Sequence, residues 1–386
     1  MPTQNSINTD IPIEVSKGGT EQVSHTAYSV LAGGATTTSP IASVGTGTST
    51  YAITSAGAGA SPVIKNLPTY FELLAADPGG PCPGDTWYNT TTNLFKGAQA
   101  IAGTWTAKNA MNTARSNLAG CGSPSDALSF GGSTGSVSAV TERYDGTNWT
   151  SKTSMNTARQ QLGGCGSAED ALSFGGNTGS NSAVTERYDG TGNSWTAKTS
   201  LNTARRLIGG AGGAVDALSF GGFTTVIVNT TELYDGSGNS WTSKTGLNNA
   251  TYGMAGVGVS GEDVLACGGQ SGSGFTAAVE LYSRTGNSWT SKTAMATARQ
   301  DPAGSGTVSC AIIFGGDQSG TPSTVTERYL LDIDTWTTVT AMNTGRNGLA
   351  GGGSLNAALS FGGSTGSVSA VTEEYNGISI VTFTVT

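Results

Sequence analysis

YDGTGNSWTAKTSLNTARR, residues 188–206, decides the fold, because close copies of this stretch recur along the chain. Each copy contains a tryptophan followed by threonine, and successive tryptophans are 44, 46, 46, 48 and 47 residues apart. A period of roughly 47 residues is typical of the four-stranded blades of a β-propeller. The tryptophans that mark the repeat are Trp105, Trp149, Trp195, Trp241, Trp289 and Trp336.

Two further markers recur once in each repeat. A short apolar run ends in a glycine pair, as in SFGG at 129–132, and a glutamate stands two residues before a tyrosine. Glycine pairs permit positive φ and close approach of neighbouring chains, so they suit strand ends near a crowded axis. The glutamates are Glu142, Glu186, Glu232, Glu280, Glu327 and Glu373.

A glycine pair, then a tyrosine strand, then a tryptophan strand is a pattern that resembles the kelch repeat, over residues 105–386. The resemblance implies an all-β protein with a six-bladed kelch-like propeller. Strands a to d of each blade would read LGGCG-like, ALSFGG, VTERY and WTAKT. Seven segments match the pattern of the outer strand, although six blades need only six. The seventh is Thr-Phe-Thr around Phe383, which follows Trp336 at the same interval. Either Trp105 or Phe383 therefore completes the last blade.

An arginine follows the tryptophan strand at a constant distance in five repeats, and Thr251 replaces it in the other. With the recurring glutamate, it predicts an ion pair between blades or a clamp on a loop. A ring of charges that binds a ligand is the alternative, but a ligand site rarely needs so many identical copies. The arginines are Arg115, Arg159, Arg205, Arg299 and Arg346.

The loops between strands b and c vary most among the repeats, and variable loops on a rigid scaffold commonly carry recognition. They read STGSVSA in both the first and the last copy, whereas the third and fourth copies are apolar. We expect binding contacts at Phe223, Val226, Ile227 and Phe275. Packing of the same residues against a neighbouring chain is the alternative interpretation.

Composition argues against several function classes. The chain has a net charge of −8, which disfavours nucleic acid as a partner, and contains no apolar run long enough for a membrane span. His25 is the only histidine and lies before the repeats, so a copper oxidase site is excluded. No GxSxG motif, P-loop or paired metal-ligand motif occurs. We expect no enzymatic activity, no cofactor and no bound metal.

The N-terminal part differs in character from the repeats. Residues 1–66 are rich in Gly, Thr, Ser and Ala, and predict a low-complexity, β-rich attachment segment. Residues 67–104 contain GDTWYNTTTNLFKG, which predicts a β-hairpin connector. Both segments resemble parts of bacteriophage tail-fibre and appendage proteins. A flexible linker is the alternative for residues 1–66.

These resemblances predict a bacteriophage virion structural protein, released by host lysis. It would be a tail fibre or receptor-binding appendage whose propeller loops bind a host surface glycan or protein. Residues 1–66 would bind other virion proteins and support a homo-oligomer, such as a trimer. One alternative is a capsid decoration or adaptor protein that binds other virion proteins. Another is an intracellular kelch protein-interaction module.

Overall fold

Each repeat forms a four-stranded antiparallel sheet, and six such sheets make a β-propeller. This confirms the predicted fold. The structure is a computed structural model, and it describes residues 52–54, 63–65, 71–78, 81–83, 85–89, 91–92, 94–259 and 263–383. Most of the predicted attachment segment, including the 66/67 boundary, lies outside these residues. The described chain falls into two compact units, Ala102–Gly377 and the residues within Met1–Ile101 and Ile378–Thr386.

The strands before the first complete blade are β1 (Ala52–Thr54), β2 (Val63–Lys65), β3 (Phe71–Leu74), β4 (Thr86–Asn89) and β5 (Leu94–Lys108). Blade one contains β6 (Ala119–Ser123), β7 (Asp126–Phe130), β8 (Thr141–Tyr144) and β9 (Trp149–Lys152). Blade two contains β10 (Gly163–Gly166), β11 (Asp170–Phe174), β12 (Thr185–Asp189) and β13 (Ser194–Lys198). Blade three contains β14 (Gly209–Ala211), β15 (Leu218–Phe220), β16 (Thr231–Asp235) and β17 (Ser240–Lys244).

Blade four contains β18 (Ala255–Val257), β19 (Val264–Cys267), β22 (Val279–Ser283) and β23 (Ser288–Lys292), with the hairpin β20 (Gln270–Ser271) and β21 (Gly274–Phe275) in its loop. Blade five contains β24 (Ala303–Gly306), β25 (Cys310–Phe314), β28 (Thr326–Leu330) and β29 (Thr335–Val339), with the hairpin β26 (Asp317–Gln318) and β27 (Thr321–Pro322). Blade six contains β30 (Ala350–Gly353), β31 (Ala357–Phe361) and β32 (Thr372–Phe383), and β5 is its outer strand.

The tryptophan of the outer strand contacts the preceding blade. Trp195 packs edge-on against Phe130 of the preceding blade, with ring centroids 5.2 Å apart. Its Nε1 donates a hydrogen bond of 3.0 Å to Thr141 Oγ1, also in the preceding blade. Tyr188 of the same blade lies against its other side. Because an aromatic ring of this size buries a large apolar area, the repeated tryptophan stabilises the contacts between blades.

Trp105, and not Phe383, lies on the outer strand of blade six. Its ring packs against Phe314 of blade five and Tyr375 of blade six, and its Nε1 donates to Thr326 Oγ1 at 3.1 Å. These contacts match those of Trp195. Phe383 lies on β32, the same strand as Tyr375, and therefore cannot also form the strand beside it. The last blade is built from two distant parts of the chain, which closes the propeller between blades five and one.

The glycine pair at the end of strand b needs glycine for a steric reason. Gly131 and Gly132 have φ of 67° and 99°, a region that side chains disfavour. A Cβ on Gly132 would lie 2.8 Å from Ser116 O. Glycine at both positions therefore lets the chain turn after strand b while it packs against the loop that leads into strand a.

The seam between blades four and five differs from the other five seams. Cys267 and Val279 stand where other blades have the phenylalanine and the threonine that contact tryptophan. Trp336 has no ring partner across this seam in the described structure, and its Nε1 donates instead to Thr293 O at 2.8 Å. It is also half-buried, whereas Trp105 is buried. Fewer specific contacts therefore hold this seam together.

The smaller unit contains paired strands. β1 pairs antiparallel with β2, β3 runs parallel to β4, and β4 pairs antiparallel with the beginning of β5, over the segment for which the sequence predicts a hairpin. Asp77 accepts hydrogen bonds from Lys96 Nζ, Asn89 Nδ2 and Trp87 Nε1. These donors, the lysine foremost, lower the pKa of Asp77 to about 2.

Candidate binding face

One face of the propeller is formed by two sets of loops. Strands b and d end there and strands a and c begin there, so it contains the b-to-c loops and the d-to-a loops that connect successive blades. We call it the bc/da face. In each blade a d-to-a residue forms an isolated β-bridge with the first b-to-c residue, as Arg206 does with Phe223. The two loop sets are thus joined to each other.

In five blades, a buried arginine and a buried glutamate hold the d-to-a loop in place. In blade one, Arg115 Nη1 donates to Gly131 O and Val140 O at 2.8 and 2.9 Å, and Nη2 donates to Glu142 Oε1 at 3.2 Å. The glutamate also accepts backbone N–H bonds from Asn112 and Thr113 at the start of the loop. Arginine and glutamate belong to the same blade, so the arrangement is a loop clamp and not a between-blade pair.

The same pairing recurs in blades two, three, five and six. The distances between Nη2 and the carboxylate are 3.1 Å for Arg159 and Glu186, 2.9 Å for Arg205 and Glu232, 3.2 Å for Arg299 and Glu327, and 3.1 Å for Arg346 and Glu373. Both side chains of every pair are buried. Burial lowers the pKa of the arginines, to about 10 for Arg159 and Arg346, while the glutamate partly opposes the shift. They remain charged at neutral pH.

A closed ring of backbone hydrogen bonds surrounds the axis at this face. Six loop residues with φ between 52° and 62° each donate an N–H to the carbonyl of the equivalent residue in the preceding blade. The bonds run from Gln161 to Asn117 (2.8 Å), Leu207 to Gln161 (2.9 Å), Gly253 to Leu207 (2.8 Å), Asp301 to Gly253 (2.7 Å), Gly348 to Asp301 (3.1 Å) and Asn117 to Gly348 (2.7 Å). The ring fixes the positions of all six d-to-a loops relative to one another.

An aromatic and cationic cluster lies on this rigid base where blades three and four meet. The Arg206 guanidinium lies over the Phe223 ring, 4.7 Å from its centroid. Tyr252 meets the same ring edge-on, at 6.0 Å. Arg206 Nη1 donates to Asn181 Oδ1 at 3.0 Å. All four side chains are half-buried and so present polar and aromatic groups to solvent at one place.

An acidic group lies beside this cluster. Asp301 belongs to the backbone ring, and burial, reinforced by the charge of Asp317, raises its pKa from 3.8 to about 7, although Gln300 Nε2 donates to it. The charge of Asp301 in turn contributes to a raised pKa of Tyr252, whose main cause is burial. The bc/da face therefore combines a cation, a carboxyl group and two aromatic rings.

The raised pKa of Asp301 predicts a pH dependence of stability. A carboxyl group whose pKa is higher in the folded state binds its proton more tightly there, so stability falls as pH rises from about 4 through about 7. We expect a loss on the order of 2 kcal/mol, less than the full shift would give, because this half-buried group is partly screened by solvent. Comparison of urea unfolding at pH 5 and pH 8 should show that Asp301→Asn has a smaller loss than the wild type. An equal loss in both proteins would contradict the assignment.

The predicted loop residues lie on this face but do not form one patch. Phe223 belongs to the cluster and forms a β-bridge with Ile227. Val226, at the tip of the same loop, is 61% exposed. Phe275 lies on β21 in the loop of blade four and is half-buried. Sequence reasoning missed Arg206 and Tyr252, although the residue after the clamp arginine varies from copy to copy as Ser, Gln, Arg, Tyr, Gln and Asn.

The lining of the axial channel contains few charged or reactive side chains. The volume of the channel is about 430 Å³, and its lining consists mostly of strand-a glycines, with Cys121 and Cys165 among them. Burial raises the pKa of both thiols well above the usual range, so they are protonated and unreactive at neutral pH. Asp170 is the one charged residue in the described lining, and it pairs with Arg187.

The described residues also lack two other kinds of feature. They contain no group of three or more His, Cys, Asp or Glu side chains that could hold a metal ion. In the same ranges, no helix is both long and apolar enough to cross a membrane.

Comparisons with known proteins agree with the fold. The model of the kelch motif matches residues 252–296, in blade four. The solved structure described as "Structure of YjhT" is similar with a TM-score of 0.60 at 16% sequence identity, and the match covers 71% of this chain and 99% of that chain. No curated protein matches the sequence. The chain therefore carries a kelch motif within a six-bladed β-propeller.

Proposed function

We propose that this protein is a bacteriophage tail fibre or receptor-binding appendage, and that its bc/da face binds a host surface glycan or protein. One observation carries the proposal: the four-strand pattern recurs in every blade and the clamp in five of the six, yet the exposed loops diverge in one sector. Blades one and six have identical b-to-c loops, whereas those of blades three to five differ from them and from each other. Divergent exposed loops on a repeated scaffold are typical of recognition.

The chemistry of the divergent sector suits a polar ligand. Phe223 and Tyr252 offer ring faces and edges for the apolar side of a sugar or peptide, and Tyr252 also has a hydroxyl group. Arg206, Asn181 and Gln300 supply donors and acceptors for hydroxyl or amide groups. The Arg205 and Arg299 clamps hold the loops that carry Arg206 and Gln300, which reduces the ordering that a ligand must impose and favours affinity.

Binding to cells tests this proposal. We expect the labelled full-length protein to adsorb saturably to some strains of a bacterial panel, and Arg206→Ala/Tyr252→Ala to weaken that binding at least about tenfold. Ser116→Ala changes the Arg206-equivalent position in blade one and should leave binding unchanged. Adsorption that is the same for both variants would place the contact elsewhere. Absence of adsorption to every strain would count against a receptor-binding role.

Exposed apolar side chains favour a second candidate, a capsid decoration or adaptor protein that binds other virion proteins. Val226 projects from the bc/da face, and Ile333, 63% exposed, lies in the c-to-d turn of blade five on the opposite face. Cross-linking within purified virions distinguishes the candidates, because an adaptor would cross-link through both faces. In either role we propose that residues 1–66 bind the virion and support a homo-oligomer, such as a trimer.

A further inference from the structure

Blade four keeps the glutamate of the clamp but lacks its arginine. Thr251 occupies the arginine position, and Glu280 is buried on strand c as in the other blades. Glu280 Oε2 and Oε1 accept backbone N–H bonds from Asn248 and Asn249 at 2.8 and 3.2 Å. A buried carboxylate without a neighbouring positive charge is costly. This blade therefore has the clamp's negative charge without the cation that balances it elsewhere.

The oxygen atoms that surround the guanidinium in other blades are still present in blade four. In blade six, Arg346 Nη1 lies 2.8 and 2.9 Å from Gly362 O and Val371 O, and Nη2 lies 3.1 Å from the glutamate. Gly268 and Ala278 occupy those two carbonyl positions in blade four. Together with Glu280 Oε1, these carbonyls supply three oxygen atoms that lack the arginine donor.

Two positions beside the arginine are smaller in blade four. Ala266 stands where four other blades have serine, and Ala278 stands where those blades have valine or threonine. Thr251, Ala266 and Glu280 retain 5–6% of their surface accessible to water, whereas their counterparts in the other blades retain 0–1%. These three residues of blade four are therefore slightly more accessible to water than their counterparts.

We propose that a monovalent metal cation, Na⁺ or K⁺, binds in blade four in place of the guanidinium group. Carboxylate and carbonyl oxygens are the ligands that hard cations prefer. The site has one carboxylate, so a single positive charge neutralises it, as arginine does in the other blades. A divalent ion would leave the site with a net positive charge. The inference is independent of the proposed function, because it concerns the interior of the scaffold.

Unfolding of the full-length protein in different salts tests the site. We expect NaCl or KCl to stabilise the protein saturably relative to choline chloride at equal ionic strength, because choline is too large to enter. At ten times the dissociation constant the folded-to-unfolded ratio should rise about elevenfold. Identical unfolding curves in the three salts would overturn the proposal.

Variants separate this site from general salt effects. Glu280→Gln removes the charge and should abolish the difference between metal and choline salts. Thr251→Arg/Ala266→Ser supplies the guanidinium and the hydroxyl of the other blades, and should remove the difference while keeping the protein stable in choline. Thr251→Ser, the matched control, should retain it. A full metal effect in Glu280→Gln would show that the cation binds elsewhere.

Discussion

Arg205→Met should destabilise the propeller by about 3–5 kcal/mol, because it leaves a buried glutamate without its cation. Arg205 is fully buried, and its Nη2 donates to Glu232 Oε1 at 2.9 Å and Ser219 Oγ at 3.1 Å. Its Nη1 donates to two backbone carbonyls, which also lose their donor. Unsatisfied buried acceptors add to the cost of the uncompensated charge.

The neighbouring arginine provides the matched control. Arg206→Met makes the same chemical change one residue later, at a half-buried side chain that carries no buried ion pair. We expect it to cost less than about 1 kcal/mol. Urea unfolding of both variants measures the contrast. A similar loss in the two would mean that the buried pair contributes no more than a surface contact, and the clamp would not explain loop rigidity.

Trp105→Ala should destabilise the protein by about 3–5 kcal/mol, and Trp336→Ala by only about 1–2 kcal/mol. The two residues occupy equivalent positions on outer strands. Trp105 is buried between Phe314 and Tyr375, whereas Trp336 is half-buried and contacts Tyr329 alone among aromatic rings in the described chain. Removal of a ring from a tight contact leaves a cavity, while a half-exposed ring leaves a site open to water.

Calorimetry or denaturant unfolding of these two alanine variants decides the comparison. Equal losses would show that the seam between blades four and five is as strong as that between blades five and six. A larger loss for Trp105 would support the weaker seam, and hydrogen exchange in β29, which carries Trp336, should then be faster than in the outer strands of the other blades.

The repeat carries most of the information about the fold. Trp195, Tyr188 and the glycine pairs recur at fixed positions, and each has a local steric or packing role that the pattern alone indicates. The pattern alone could not decide whether Trp105 or Phe383 lies on the outer strand of blade six, because Thr-Phe-Thr alternates polar and apolar residues as the other outer strands do. It is decided by the continuation of β32 through Phe383, which depends on long-range pairing.

The candidate site could be predicted only in part. The loops that vary in length and apolar content are visible in the sequence, and they include Phe223. Arg206 and Tyr252 belong to loops of constant length, so their contact with Phe223 depends on how two blades meet around the axis. The pKa shift of Asp301 likewise arises from residues that only the closed ring brings together.

Closure of blade six by β5 also has a consequence for synthesis of the chain on the ribosome. Asn343 Nδ2 donates to Trp105 O, across 238 residues of sequence. At ~5–20 residues per second, β5 emerges roughly 10–50 s before its partners exist. During that interval its edge is unpaired and open to wrong partners, so Trp105 and its neighbours are the segment where we expect chaperones to bind the nascent chain. Once the partners arrive, so distant a contact makes closure slow, and its rupture is the event that should govern the lifetime of the folded propeller.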